Sequence, residues 1–505
     1  MNTTQMYDAQ ADSMNVRKIA SNDNNRNILR RIKINSIDEF NTIGDDIDIL
    51  YIQSQIDEHG YGENNYVPEG AKDMGWLGYF VGVSEHLEQL HFGPLTPTSG
   101  LSIMEILKPF FSGVANNKSI TKLNFYGMDL LDGKIFTMMC PFFENNNKLS
   151  HITITDCQLG DDGWRLLALA IGSSKHKSLQ KVLLLSCNVS DEGSVDIITA
   201  LSMHPHLHTL NLVGNRLNKL GCKALATLLR HSCNTLGSLN LANNEINDEG
   251  VDALVPALKN DSNSLHQLWL SGNPSITSRG WQKLATVLES PNSKLKELYI
   301  VGNNVGDEAV AVLASALVNN RTLMAISIRC FTESSFNEEG WDAFSSLLCN
   351  SSSVNATFLS NHTLNELGCL HQNPLQPLLT LNKREDKKEV AMIKILQHHN
   401  EFDMTPFFEW EFKVLPLMIN WFEKASSITM PQDYEPNIRP RKLSSIYQFV
   451  RGMPLLYVET RLRKELEDIK AAQVHIEEER ARLDQQKQSN EERKRSILER
   501  LGHNV

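Results

Sequence analysis

Apolar residues return along the middle of the chain at fixed offsets. Leu149, Ile152, Ile154, Cys157 and Leu159 are followed, with the same spacing, by Leu179, Val182, Leu184, Cys187 and Val189. The pattern recurs in Leu207-Leu210-Leu212-Asn215-Leu217 and Leu236-Leu239-Leu241-Asn244-Ile246. Leu265-Leu268-Leu270-Asn273 and Leu295-Leu298-Ile300-Asn303-Val305 continue it. Degenerate copies begin at Leu87, Ile120, Leu323 and Val354, and from Ile120 to Leu323 the period is 28–30 residues. The opening part of each unit alternates apolar and polar positions with period two, which predicts a strand with its Leu side chains on one face. The second part spaces apolar residues three and four apart, which predicts a helix. Gly221–Leu229, Gly250–Leu258 and Ala309–Leu317 show this stripe clearly.

One strand and one helix cannot bury both apolar faces alone, but stacked copies can. The expected fold is therefore α/β: a solenoid with a parallel sheet on one side and helices on the other. Strands pack more closely than helices, so the stack curves with its strands on the concave face. The Asn at the ninth place of each unit falls where the strand turns, and its amide suits a ladder of hydrogen bonds to neighbouring turns. Cys157 and Cys187 take that place in two units, which makes them structural thiols. The repeat L-x-x-L-x-L-x-x-N/C-x-L resembles the leucine-rich repeat family. Its period and helical second half resemble the ribonuclease-inhibitor-like subclass. That resemblance implies a horseshoe with strands on the concave face, helices on the convex face, and a protein-binding role.

The rest of the chain is organised around this array. Residues 1–36 are polar and lack apolar periodicity, so they read as disordered. Residues 37–84 read as an N-terminal cap, with Ile37, Phe40, Ile43, Ile47 and Leu50 in a short amphipathic element and Trp76–Phe80 covering the first repeat. The solenoid is expected over residues 85–369. Residues 370–428 read as a helical C-terminal cap with a dense aromatic cluster (Phe407, Phe408, Trp410, Phe412, Trp421, Phe422). Residues 429–443 carry Pro431, Pro436 and Pro440 and read as linker. Residues 444–505 read as one long charged helix. In it Leu455, Leu462, Ile469, Ile476, Leu483, Asn490 and Ile497 stand seven apart, one column of a heptad. The other column is poor, so homodimerisation through residues 455–501 competes with binding of a different helix and with a single charged helix.

Composition narrows the function classes. The chain has 505 residues and a net charge of −11, so it has no general pull on nucleic acid or anionic lipid. No apolar run approaches the ~20 residues of a membrane span, and the first 30 residues lack the apolar core of a secretory signal. The eight cysteines form no CxxC pair, so reduced thiols and a cytoplasmic location are expected. Motifs for phosphate cradling, dinucleotide binding, zinc proteolysis or a nucleophile elbow do not occur, so no cofactor and no enzymatic activity are expected. His204, His206 and His208 share one face if extended, but no Cys or carboxylate stands beside them, and no metal site is assigned. The acidic pairs Asp161-Asp162, Asp191-Glu192, Asp248-Glu249 and Asp307-Glu308 precede the helices and suit their N-termini.

Function is therefore sought on the outward strand positions. Their middle column reads Asn124, Thr153, Leu183, Asn211, Asn240, Trp269, Tyr299 and Ser327, flanked by Lys181, Gln267, Glu297 and Arg329. Trp269 and Tyr299 should stand one strand spacing apart, about 4.8 Å. Aromatic residues set among polar ones on a surface resemble the hot spots of protein interfaces. The candidate partner-binding residues are thus Trp269, Tyr299, Gln267, Glu297, Lys181, Leu183, Asn211, Asn240 and Arg329. The expected function is a non-enzymatic scaffold for a protein partner. The runner-up is a small-GTPase regulator similar to the Ran GTPase-activating proteins, which share this repeat class but typically end in an acidic tail.

Overall fold

A computed structural model of the chain describes residues 15–37, 47–54, 64–96, 102–130, 133–230, 235–328, 338–368, 374–399, 438–500 and 502. The chain divides into two compact units, Met1–Cys349 with Ser360–Glu385, and Asn350–Leu359 with Asp386–Val505.

The first unit holds one sheet in which twelve strands are all parallel among the described residues. The strands are β1 (Ile49–Ile52), β2 (Asn65–Tyr66), β3 (Gln89–Phe92), β4 (Lys122–Tyr126), β5 (His151–Thr155) and β6 (Lys181–Leu185). They continue as β7 (Thr209–Asn211), β8 (Ser238–Asn240), β9 (Gln267–Trp269), β10 (Glu297–Tyr299), β11 (Ala325–Ser327) and β12 (Glu366–Gly368). From β3 to β12 each strand pairs with the next in sequence, and β1 and β2 add to the edge beyond β3. Burial alternates along the strands, as in β5 and β6, where three half-exposed positions bracket two buried ones. The buried positions are the repeated Leu, Ile and Val side chains, and they form one continuous core with the helices between the strands. Trp164 and Trp281, both on those helices, are fully buried in it.

Two structural signals hold successive turns in register. After the strand, Asn215 accepts from the backbone N–H of Cys187 (3.1 Å) and Val189 (3.0 Å) and donates to the carbonyls of Leu184 and Leu212. Asn244, Asn273 and Asn303 repeat this arrangement one unit later each time. Cys157 and Cys187 replace the amide with a thiol that donates to the carbonyls of Thr155 and Leu185. Burial pushes both thiols up, to about 11 and about 12, so they stay protonated donors. The residue before this Asn or Cys is left-handed in every unit from Asp156 to Gly302. Gly fills the place at 214, 272 and 302, whereas Asp156, Ser186 and Asn243 adopt it with a side chain.

A second ladder runs at the opposite turn, from helix to strand. Asn117 accepts from Ser119 and Ile120 N–H and donates to the carbonyls of Val81 and Ser84. Asn146, Asn320 and Asn361 make the same bridge to the preceding unit. His204 stands in this place too, where its Nδ1 accepts from Leu179 N–H at 3.4 Å. That assigns the first member of the His204-Pro-His motif to packing: it is buried, and burial lowers it to about 4.

Two of the acidic pairs also act on the following helix. Asp191 accepts from the backbone N–H of Asn218 (2.8 Å), Leu220 (2.9 Å) and Gly221 (2.7 Å), which open helix Lys219–Arg230. Asp248 does the same for Thr277 and Gly280 at the start of helix Ser278–Leu288. Helix N-termini carry unsatisfied N–H groups, and here the preceding repeat supplies their acceptor.

The ends of the array differ from the sequence expectation. Residues 23–37 form a helix with Ile28, Leu29 and Ile32 buried, where disorder is expected. Its apolar residues are diluted by Asn and Arg, which hides the stripe. The Glu69 carboxylate fixes its start by accepting from Ser21 and Asn22 N–H. Trp76, Leu77 and Phe80 lie buried on helix Ala71–Val83. That helix meets helix Ile103–Val114 so closely that a Cβ on Gly78 would stand 2.3 Å from the Phe110 carbonyl. Within residues 37–50, positions 38–46 lie outside the described residues, and Leu50 belongs to β1. At the other end Val354–Leu359 is a helix, and the strand of that unit is β12, which follows Leu364. Helix Gln376–Asn382 follows it, and Asn382 donates to the carbonyls of Asn361 and Leu364.

In the second unit, Thr357 on the short helix Val354–Leu359 stands 2.7 Å from Nε2 of His399, just past helix Lys387–His398. The aromatic cluster at 407–422 lies outside the described residues. A single helix spans Ile438–Arg500, beginning inside the expected linker and continuing through Gly452 and Pro454. Among the described residues no helix is long and apolar enough to cross a membrane.

Candidate interaction surface on the open face of the sheet

The outward strand positions form two columns in strict register. One column runs His91, Asn124, Thr153, Leu183, Asn211, Asn240, Trp269, Tyr299, Ser327 and Gly368. The other runs Gln89, Lys122, His151, Lys181, Thr209, Ser238, Gln267, Glu297, Ala325 and Glu366. Parallel pairing without bulges makes this possible, because every side chain then meets its counterpart on the next strand.

Eight of the nine candidate residues lie on these columns, each half-exposed. The ninth, Arg329, lies outside the described residues. Trp269 and Tyr299 stack face to face, with ring centroids 5.1 Å apart and planes 6° from parallel. The Glu297 carboxylate is the hub beside them. It accepts from Gln267 Nε2 at 3.0 Å and from the Tyr299 hydroxyl at 3.0 Å. Burial, then the hydrogen bond to Glu297 and the charges of Glu297 and Glu366, push the Tyr299 phenol up to about 12. The four groups Gln267, Trp269, Glu297 and Tyr299 thus form one braced plate across β9 and β10.

The other candidates stand farther along the sheet. Asn211 and Asn240 use their side-chain oxygens locally, accepting from Val213 and Ala242 N–H at 3.1 and 2.9 Å. Leu183 and Lys181 lie on β6. The structure adds residues that the sequence reading passed over. Lys122 and His151 share the column of Lys181, and Glu366 shares that of Glu297. Their signal was the strand offset already used for Lys181, hidden by degenerate repeats for Lys122 and Glu366 but open for His151, which stands in a clear unit. Burial and the charges of Lys122 and Lys181 hold the His151 imidazole below its ordinary range. Chemically the surface offers flat aromatic area, amides, and carboxylates or ammonium groups at its two ends. Among the described residues no group of three or more His, Cys, Asp or Glu side chains is placed to hold a metal ion.

Comparison with known proteins gives the following. The Leucine Rich repeat family profile matches residues 204–226, 232–255 and 292–314. The NACHT, LRR and PYD domains-containing protein 3 of Bos taurus is 28% identical over 296 residues, which is 52% of this chain and 25% of that protein. The ribonuclease inhibitor of Mus musculus is 27% identical over 193 residues, 38% of this chain and 41% of the inhibitor. The chain therefore spans less than half the length of each of these relatives. A chain of the yeast Rad7 and Elc1 complex overlays 54% of this chain and 78% of itself, at 14% identity and a TM-score of 0.27.

Proposed function

We propose, from the premise that this chain belongs to the leucine-rich repeat family and has ribonuclease-inhibitor-like character, that it is a non-enzymatic scaffold. It binds a protein partner on the concave, strand-lined face of its array. The observation that carries this reading is the stacked Trp269–Tyr299 pair, braced by Glu297 and still half-exposed. Rigid aromatic plates lose little side-chain entropy on binding and dominate interface energetics. Lys181, Leu183, Asn211 and Asn240 extend the contact area along the sheet from that plate, and Arg329, outside the described residues, is a further candidate contact.

The long helix supplies a second contact. Leu462, Ile469, Ile476, Leu483 and Ile497 occupy one heptad column and are 50–64% exposed. A column of this kind is covered when a second helix packs on it, and Asn490 within it sets the register. We assign it to pairing with a second copy through residues 455–501. The reduced thiols of the turn ladder suit a cytoplasmic compartment.

The test is capture by the full chain against the Trp269→Ala/Tyr299→Ala double variant. Partners held by the wild type and lost by the variant support the reading, and partners that all survive overturn it. Release of phosphate from GTP-loaded small GTPases, accelerated by the chain, would replace it with GTPase regulation. Light scattering with and without residues 444–505 reads the pairing, and an unchanged mass per particle beyond the deleted segment removes it.

A further inference from the structure

The charged column of the sheet is graded along its length. Lys122, His151 and Lys181 stand on three successive strands, β4 to β6. Thr209, Ser238 and Gln267 are neutral, and then Glu297 and Glu366 stand on β10 and β12. Among the described residues none of Lys122, Lys181, Glu297 or Glu366 has an ion-pair partner. Lys122 and Lys181 stand two strands apart with His151 between them, and Glu297 and Glu366 stand two strands apart with Ala325 between them, so each end of the column holds two like charges about 10 Å apart. Two ammonium groups at one end and two carboxylates at the other therefore repel within each pair, and no ion pair among the described residues offsets either repulsion. A bound surface of the opposite polarity relieves both at once.

We propose that the partner is a protein that presents an acidic patch to Lys122, His151 and Lys181 and a basic side chain to the plate of Gln267, Trp269, Glu297 and Tyr299, with Glu366 two strands beyond Glu297. This rests on the scaffold reading above and deepens it by fixing the partner's charge pattern and its orientation. The basic side chain has two attractions at that plate. One is the carboxylate of Glu297, which the Gln267 and Tyr299 hydrogen bonds hold in place. The other is the π-face of the stacked pair, which attracts a cation. From His151 on β5 to Glu297 on β10 are five strand spacings, or about 24 Å along the sheet. That fixes the separation of the partner's two charged groups. Complementary fields of this kind steer encounter and exclude partners that meet the face the wrong way round.

The test uses the full chain and synthetic peptides of equal composition. The segregated probe carries three Asp/Glu residues, an eight-residue Gly/Ser spacer and three Lys/Arg residues, because eight extended residues reach about 26 Å. The control probe interleaves the same charges. Fluorescence anisotropy at low ionic strength is expected to show the segregated probe binding about ten-fold more tightly than the interleaved one, with the difference shrinking as salt is added. Lys122→Glu/Lys181→Glu and Glu297→Lys/Glu366→Lys should each remove that preference, with the neutral Lys122→Gln/Lys181→Gln variant in between and circular dichroism unchanged. Equal binding of the two probes overturns the proposal. So does loss of binding on Trp269→Ala/Tyr299→Ala with no loss on charge reversal, an outcome that leaves the concave-face reading standing. Indifference of the segregated probe to every variant overturns both. An oligothymidine probe that binds the wild type and is lost on Lys122→Glu/Lys181→Glu assigns the basic column to nucleic acid and overturns the protein partner.

Discussion

The carboxylate of Asp191 accepts the backbone N–H of Gly221 at 2.7 Å, so the helix of one repeat is capped from the repeat before it. Two further N–H groups of the same helix start, those of Asn218 and Leu220, go to the same carboxylate. A cap of this kind ties neighbouring units together while it satisfies a helix end. Asp191→Ala is therefore expected to cost about 1–2 kcal/mol in urea denaturation. Asp248→Ala, which removes the acceptor for Thr277 and Gly280, should cost about as much. Glu192→Ala, at an exposed neighbour of Asp191, should stay within about 0.5 kcal/mol. Equal effects at 191 and 192 would reduce the contribution of Asp191 to general charge near a helix end.

Acid should weaken the array at His204. Burial, followed by the charge of Lys177, lowers its folded value from 6.5 to about 4. Between those values the unfolded chain takes up a proton that the folded one refuses. Stability is thus fully present above pH 6.5 and is lost as pH falls toward 4, by up to roughly 3 kcal/mol from this group. His204→Asn places at this turn the residue used at 117, 146 and 320, and should flatten that part of the stability–pH curve. His91, lowered to about 4 mainly by burial, and His151, lowered by burial and the charges of Lys122 and Lys181, contribute to the slope that remains. A wild-type and variant difference that is constant from pH 4 to 7 would sink this assignment.

The left-handed turn offers a stabilising substitution. Ser186 adopts φ 53° at the place where Gly214 has φ 71°. Ser186→Gly removes the Cβ strain and should raise stability by up to about 1 kcal/mol, read as a higher Tm. The reverse change, Gly214→Ala, puts a Cβ 2.7 Å from Ser186 Oγ and strains the backbone too, so it should destabilise.

The Tyr299 phenol reports on the plate directly. Its alkaline titration, followed by tyrosinate absorbance, should centre near 12. Glu297→Gln removes a negative charge and a charged acceptor, so the midpoint should move down while the burial contribution persists. A midpoint that does not move would show that Glu297 does not bear on the ring, and would weaken the case for a braced surface.

What the sequence made legible was whatever recurs at a fixed offset. Leu207, Leu236 and Leu265 announce their strands because the alternation beside them is clean, and Asn215 and Asn244 announce their ladder. The helix-to-strand ladder stayed hidden because His204 substitutes for Asn and Asn263 has drifted one place toward its Leu. Strands β1 and β2 lack the Leu-x-x-Leu signature, so only pairing with β3 reveals them. At the far end an insertion displaces the last unit, so Val354 looked like its start when Leu364 is. Trp269, Tyr299, Gln267 and Glu297 were legible because they are chemically conspicuous on well-formed strands. The charge grading was not, since Lys122 and Glu366 sit on degenerate copies and acquire meaning only from the register.

Because each ladder residue bridges one unit and no more, the array can lengthen or shorten only in whole steps. Duplicating a single unit between β6 and β9 would leave every turn with its neighbour, yet it would carry the aromatic plate about 4.8 Å farther from Lys181. Copy number thus acts as a ruler for the distance between the aromatic plate and the lysines of the opposite end.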